Sequence, residues 1–369
     1  MSLDLHRQTA IVSPHMTVTV SRRGVLLIGL GTPASPAVGD VRRFLHDMLS
    51  DPRVIDLAAP WRWLLVNFAI LPVRPFYSAA AYRSIWTTQG SPLAVHSENL
   101  ASKLRQALGE HVPVELAMRY GTPAMAGAIA RLTAAGVTRL FVVPLFPQYS
   151  SAGTGSALAH FHRTLARSRN VPSVTTVGPF FSHSGFVAAW QEVARPALTR
   201  FRPDHVLFSF HGVPERHVRA SDPTGRWCLI AANCCLTPEA SQRPCYRAQC
   251  VATTAALSQA LELDAAANSF AFQSRLGAGE WLQPYTVDAM RKLRGCGVRR
   301  LAVLCPSFVA DCLETLEEIG LRGRKAWMDL GGEDFLLVPS LNEHPAWVGA
   351  LTDILRDYGL ERPGDDRSI

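Results

Sequence analysis

Val25-Leu26-Leu27-Ile28-Gly29-Leu30-Gly31-Thr32-Pro33 and Val206-Leu207-Phe208-Ser209-Phe210-His211-Gly212-Val213-Pro214 are two versions of one pattern, an apolar run closed by Gly-x-Pro. A second pair repeats the relation: Gly136-Val137-Thr138-Arg139-Leu140-Phe141-Val142-Val143-Pro144 and Gly297-Val298-Arg299-Arg300-Leu301-Ala302-Val303-Leu304-Cys305-Pro306. Each run is strand-length, partly β-branched or aromatic, and bounded by Gly and Pro. Helical periodicity falls at 98–108, 124–135, 186–201, 250–261 and 286–293. Strands that are apolar on both faces and alternate with helices imply parallel βαβ sheets, hence an α/β fold in two duplicated halves joined near 181–203. The stretch 346–358 reads as a closing helix and 363–369 as a frayed tail. Ligands of parallel sheets gather at the carboxyl ends of the strands. The loops to search are therefore 29–33, 119–123, 146–156, 211–215, 273–281 and 306–314.

Composition narrows the class of function. Hydrophobic residues make up 48% of the 369 positions and charged residues 18%, which excludes a disordered chain. The net charge of +7 is spread thinly, with no dense Lys/Arg run interleaved with aromatics, so a nucleic-acid partner is not expected. An anionic small molecule or membrane surface suits the charge better. Ser21-Arg22-Arg23 before an apolar run superficially resembles a twin-arginine signal, but the duplication requires that run as a first buried strand. No apolar run reaches the ~20 residues of a membrane-spanning helix, and the chain reads as cytoplasmic. Eight cysteines in such a compartment point to metal or redox chemistry before disulfides.

His211 closes a strand, where an imidazole can serve as a general base; the plain alternative is a loop histidine bonded to a carbonyl. Asp311, Glu314, Glu317 and Glu318 follow Pro306-Ser307-Phe308 at helical spacing, as a line able to pass protons or a divalent cation. Acids in a first helical turn also simply complement the macrodipole. Gly29-x-Gly31 lacks the third glycine of a dinucleotide fingerprint. The stretch Ser150 to Ser156 has no Gly-Lys-Ser/Thr ending, so it is an anion-binding turn or a plain N-cap, not a P-loop. Cys296, Cys305 and Cys312 fit the framework as small core residues. Cys228, Cys234, Cys235, Cys245 and Cys250 crowd a turn-rich insert, suited to a [2Fe–2S] cluster or, second, to zinc. Neighbouring Cys234 and Cys235 should not both face one centre, leaving one of the five spare. Trp61-Arg62-Trp63-Leu64-Leu65-Val66-Asn67-Phe68-Ala69-Ile70-Leu71 suits an interface or a pocket wall, with a buried helix as the alternative.

Taken together these stretches resemble ferrochelatases, from residue 24 to about 345. The resemblance rests on Ser209-Phe210-His211-Gly212-Val213-Pro214 and on Phe308-Val309-Ala310-Asp311-Cys312-Leu313-Glu314-Thr315-Leu316-Glu317-Glu318. Tyr82-Arg83-Ser84-Ile85-Trp86, Gly90-Ser91-Pro92-Leu93, Pro147-Gln148-Tyr149-Ser150, Phe272-Gln273-Ser274-Arg275 and Trp281-Leu282-Gln283-Pro284-Tyr285-Thr286 add to it. The resemblance implies an arm at 1–23 and two Rossmann-like domains (24–181 and 182–345), each a parallel sheet flanked by helices, facing a central cleft. A pocket lip lies at about 58–93, the Cys-rich insert at about 222–250, and a closing helix and tail at 346–369. The implied reaction is insertion of Fe(II) into protoporphyrin IX in haem biosynthesis, a lyase activity. Coproporphyrin III, another tetrapyrrole, or a non-catalytic iron or tetrapyrrole sensor are the alternatives. His211 would take pyrrole protons, and Glu314 would serve the metal or proton path with Asp311 behind it; His211 and Glu314 are also the candidate iron contacts. Leu30, Tyr82, Ser91, Arg119, Tyr120, Tyr149, Trp281 and Phe308 would frame the macrocycle, Arg119 as a cation for its propionates. Leu30 departs from the Met or Tyr of several relatives. A subset of bacterial relatives holds a [2Fe–2S] cluster through an internal cysteine segment, which here implies Cys228, Cys235, Cys245 and Cys250, with Cys234 able to replace one. Peripheral contact at the inner membrane and an upstream porphyrin-producing oxidase as partner follow from the same resemblance.

Overall fold

A computed structural model describes residues 22–361 apart from 232, 238–243, 276 and 278. The arm up to Ser21, the tail from Arg362 and part of the cysteine insert lie outside the described residues. Two parallel sheets carry the fold, with identical strand order. The first is built from β1 (Arg23–Thr32), β2 (Val114–Gly121), β3 (Arg139–Pro144) and β4 (Ser173–Thr176), in the order β2-β1-β3-β4. The second is built from β5 (His205–His211), β6 (Asn268–Gln273), β7 (Arg300–Leu304) and β8 (Asp334–Leu337), in the order β6-β5-β7-β8. The duplicated runs occupy equivalent places: β1 and β5 are central strands, β3 and β7 their neighbours on the same flank. Val25 through Ile28 and Leu207 through Phe210 have no exposed surface, as strands covered on both faces require.

The run after Arg22-Arg23 is thus a central strand and not a leader. Helices expected from periodicity appear as α4 (Pro92–Leu108), α5 (Met125–Ala134), α7 (Ser184–Phe201), α9 (Tyr246–Ala260) and α10 (Thr286–Gly295), numbered with α1 (Val38–Leu49), α2 (Ala59–Leu64), α3 (Arg74–Ile85), α6 (Ser156–Leu165) and α8 (Glu215–Arg219). The closing helix, α12 (Pro345–Asp357), follows α11 (Arg324–Asp329) and packs on both α7 and α4, so it ties the two halves together. Phe180, Phe186 and Trp347 form an aromatic cluster at that seam, with ring centroids 5.4 to 5.9 Å apart.

Two features were not legible in the periodicity. Both halves place a π-helix after the third strand of the sheet: Ser151–Gly155 after β3 and Leu313–Gly323 after β7. π-helical turns are frequent at functional sites. The second runs for 11 residues along the cleft. In the lip, α2 has no buried residue, and Trp61, Trp63, Phe68, Phe76 and Tyr77 are more than half exposed. The segment is therefore exposed along α2 and at Phe68, while Val66 and Leu71 of the π-helix Leu65–Ile70 and its cap are buried. No single described helix is long and apolar enough to cross a membrane.

Candidate active site

The carboxyl ends of both sheets open onto one cleft of about 1560 Å³, walled by the lip, the π-helix Leu313–Gly323 and the loops after β1, β3, β5, β6 and β7. That volume exceeds the 300–1,000 Å³ of ordinary small-molecule pockets and suits a large, flat ligand.

His211 ends β5 and stands half-buried in the wall. Its Nδ1 lies 2.6 Å from the Gly212 carbonyl oxygen. A carbonyl can only accept, so Nδ1 carries the proton and the neutral ring keeps its lone pair on Nε2. Phe308, in the loop after β7, sets its ring edge-on to the imidazole at 6.1 Å between centroids. A base with its tautomer fixed and an aromatic neighbour fixing its plane is prepared for proton transfer.

Glu314 is in the first turn of the π-helix and also lines the cleft. Its backbone carbonyl accepts from Gln273 Nε2 at 2.8 Å, and Gln273 Oε1 accepts from Ser209 at 2.6 Å. The Glu314 carboxylate meets the Cys312 thiol, a weak donor that leaves it open to a cation. Its charge lies near Tyr82, whose phenol is pushed well above its ordinary range, first by burial and then by Glu314. Tyr82 hydrogen-bonds Thr32, and Thr32 donates to Ser91 at 2.8 Å. Leu30, Tyr82, Ser91, Trp281 and Phe308 thus all reach the cleft.

Four expected residues do not. Asp311 is 6% exposed and lies behind the wall. Its carboxylate accepts from Thr315, Asn342 Nδ2 and the Ser340 N–H, at 3.0, 2.8 and 3.3 Å. A buried carboxylate needs such donors, and these pin the loop in place of forming a relay. Arg119 and Tyr120 are likewise outside the wall: Arg119 pairs with Asp51 and donates to Ser156 at 2.6 Å, and Tyr120 donates to Asp51 at 3.0 Å. Burial would raise the Asp51 carboxyl, but Ser156, the Arg53 N–H, Arg119 and Tyr120 together hold it below its ordinary range. Arg119 is therefore consumed within the first half and is not a free cation. Tyr149 also stands back, its N–H donating to Gln249 at 2.7 Å.

The cations that do line the cleft are Arg74, Arg216, Arg275 and Arg322. Arg216 forks onto Asp56, joining second half to lip, and Arg322 donates to both Glu317 oxygens at 2.8 and 2.9 Å. Arg275 lies over the Tyr285 ring at 5.2 Å. Beside it, Ser274 sits at φ +65° and donates its N–H to Glu318 at 2.9 Å, with its hydroxyl on the same carboxylate. Glu318 is thus a clamp on the wall loop. Sequence reading missed this clamp, and also Asp51, Asp56 and Arg216, because their partners lie 44 to 160 positions away; Phe272-Gln273-Ser274-Arg275 stood out as a motif but gave no role.

Four cysteines of the insert converge. Cys245 contacts Cys228 and Cys235, and the Cys234 and Cys235 sulfurs are 3.6 Å apart. The neighbours face each other after all, because the segment is a series of tight turns, with the Cys234 N–H donating to the Ala231 carbonyl at 3.1 Å. Burial raises the Cys228 and Cys234 thiols, and contact with Cys235 lowers that of Cys245. Cys250 is hydrogen-bonded with the Tyr246 hydroxyl and lies within electrostatic reach of Cys235. Cys305 and Cys312 are buried framework thiols, and Cys296 is exposed. Among the described residues no set of three or more His, Cys, Asp or Glu is already arranged around a metal-sized centre.

A family model described as ferrochelatase matches residues 22–358. The chain belongs to the ferrochelatase family. It is 44% identical to a ferrochelatase of Legionella pneumophila over 337 residues, covering 91% of this chain and 99% of that one. It is 46% identical to a ferrochelatase of Pseudomonas entomophila, covering 89% and 96% of the two chains. Among solved structures it resembles SirB from Bacillus subtilis with Fe3+, at a TM-score of 0.53 and 12% identity over 92% of this chain and 96% of that one. That likeness concerns the fold alone. As a ferrochelatase the protein is a metal chelatase of haem biosynthesis, a lyase that takes a porphyrin and iron as substrates.

Proposed function

We propose that the cleft inserts Fe(II) into protoporphyrin IX with His211 as the base and Glu314 on the path of the metal or of the departing protons. The fixed tautomer of His211 carries this reading: Nδ1–H is spent on the Gly212 carbonyl, leaving Nε2 to accept. A free porphyrin holds two pyrrole N–H protons that must leave as the divalent cation enters. His211 takes the first and passes it on toward the solvent of the cleft before taking the second, and the Glu314 carboxylate, which meets the Cys312 thiol, attracts the incoming cation or carries protons out. Apolar walls from Leu30, Trp281 and Phe308 suit the macrocycle, and holding it bent exposes its nitrogen lone pairs. Arg74 and Arg275, which have no carboxylate partner among the described residues, take the propionate role first assigned to Arg119. Anaerobic assays comparing kcat/KM for protoporphyrin and coproporphyrin test the substrate; a higher value for coproporphyrin III reverses it.

The exposed lip, with Trp61, Trp63, Phe68, Phe76 and Tyr77 beside Arg62 and Arg74, suits peripheral contact with an anionic membrane from which an apolar porphyrin is collected, by handover from a porphyrin-producing oxidase. Sedimentation with anionic vesicles tests it; a Trp61→Ser, Phe68→Ser variant that sediments like the parent refutes it.

Four buried thiols linked pairwise, Cys228 to Cys245, Cys245 to Cys235 and Cys235 to Cys234, supply the donor chemistry of a [2Fe–2S] cluster. Cys228, Cys234, Cys235 and Cys245 fit it by position, with Cys234 in the place first given to Cys250. Such a group supplies one-electron redox chemistry. Arg247 donates to Cys235 Sγ at 3.1 Å, and Asp222 gathers the N–H groups of Thr224, Trp227 and Cys228, so this chain shapes the segment around the thiols. Visible absorbance read before and after dithionite, with iron and zinc analysis, decides it. A colourless protein stoichiometric in zinc refutes the cluster.

A further inference from the structure

Tyr246 opens α9 directly after Cys245, and its side-chain hydroxyl reaches the backbone carbonyl of His211. It is 7% exposed. Its hydroxyl lies 2.7 Å from the His211 carbonyl oxygen and 3.1 Å from Ser307 Oγ, and it is hydrogen-bonded with the Cys250 thiol. The carbonyl can only accept, so the phenol proton goes to His211, and the Ser307 hydroxyl and Cys250 thiol are left to donate. Every hydrogen-bonding position of one buried hydroxyl is thereby occupied.

Its place in the sheet explains the need for it. β5 pairs with β6 as far as His211↔Gln273, but its pairing with β7 ends at Phe208↔Leu304. Beyond that point the chain after β7 departs through Ser307 toward Phe308, the ring that meets the imidazole. The Tyr246 hydroxyl bridges this gap, holding the end of β5 to the start of the β7 loop. The residue before it, Cys245, is the N-cap of α9 and touches both Cys228 and Cys235. A displacement of the Cys245 sulfur therefore moves the first turn of α9, and with it the bond to His211.

We propose that Tyr246 is a positioning residue through which the state of the thiol group at Cys228, Cys234, Cys235 and Cys245 reaches His211. It rests on the metal-site reading only for the event transmitted; the link itself is the hydrogen bond.

The test uses the full chain labelled with ¹⁵N-histidine, the His211 imidazole signals being those lost in His211→Gln. Cys245→Ser is made with Tyr246 present and in the Tyr246→Phe background. The expected result is a shift of the His211 resonances by Cys245→Ser that falls to less than about a third when Tyr246 is Phe, together with a three- to tenfold lower kcat for Tyr246→Phe at unchanged iron KM, the scale of one hydrogen bond. Equal shifts in the two backgrounds, or none in either, overturn the proposal. Should Cys245→Ser fail to fold by circular dichroism, Arg247→Gln disturbs Cys235 without removing a thiol and gives the same comparison. Iron content and visible absorbance of the parent are read separately. A metal-free parent refutes the cluster while the two-background comparison still decides the link.

Discussion

The two sheets have one topology and different ends. β1 and β5 are both central, both buried along their middles, and both stop at a glycine-containing turn in the same cleft. β1 delivers Leu30-Gly31-Thr32, an apolar wall and a hydroxyl bonded to Ser91; β5 delivers His211-Gly212-Val213, with its base. The π-helices after β3 and β7 differ in the same way. The first is five residues capped by the Ser150 hydroxyl, and the second carries Glu314, Glu317 and Glu318 along 11 residues. Duplication thus supplied equivalent positions, and in the second half these positions carry an imidazole and carboxylates where the first half has apolar and hydroxyl side chains. Charged residues of the first half, Asp51 and Arg119, were turned inward to hold the fold.

This division is broken most severely at His211. His211→Gln removes the Nε2 base and should lower kcat roughly 10²–10⁴-fold with porphyrin affinity retained, as measured by initial rates and by quenching of tryptophan fluorescence. Asp51→Asn probes the other half. It strands Arg119 in the interior and should destabilise the fold by about 3–5 kcal/mol in denaturant melts, with catalysis falling only as folded protein is lost. Because the Asp51 carboxyl is held below its unfolded value, its stabilisation is present above that value and disappears as pH falls through the folded one. The parent should therefore lose Tm on acidification below about pH 5 more steeply than Asp51→Asn does; parallel slopes would contradict the structural role of this pair.

Legibility followed the same line. The parallel α/β halves could be read because a strand buried on both faces is a local run of apolar residues, as at Val25–Ile28 and Val206–Phe210. His211 and Glu314 could be found because they stand where those runs end. Which carboxylates face the cleft could not be read from helical spacing. A π-helix turns more slowly than an α-helix, and Asp311 is turned away by Asn342 and Ser340, some 30 positions downstream. Arg119 looked like an anion-binding cation because nothing local announces Asp51, 68 residues earlier. Adjacent cysteines looked incompatible with one centre, but the described backbone at Cys234 and Cys235 is a turn in which their sulfurs approach to 3.6 Å.

Smaller changes sharpen the comparison inside the cleft. Glu314→Gln keeps the shape of the π-helix start and removes its charge. Raising the apparent KM for Fe(II) roughly 10–100-fold with little change in porphyrin affinity is the expected signature, by the scale on which groups around a metal site act. A proton-path role would instead lower kcat at saturating iron, so the split between KM and kcat decides which task the carboxylate has. Leu30 is the counterpart of His211 on the other sheet, and its replacement should matter least. Leu30→Met conserves volume and polarity, so repacking should change kcat/KM by less than about tenfold. If β1 supplies only a wall, the pH profile of Leu30→Met stays superimposable on that of the parent, because no titrating group has moved. A thioether that instead altered metal preference, measured with Fe(II) against Zn(II), would show that the end of β1 also meets the metal and that the chemistry is shared between the duplicated halves.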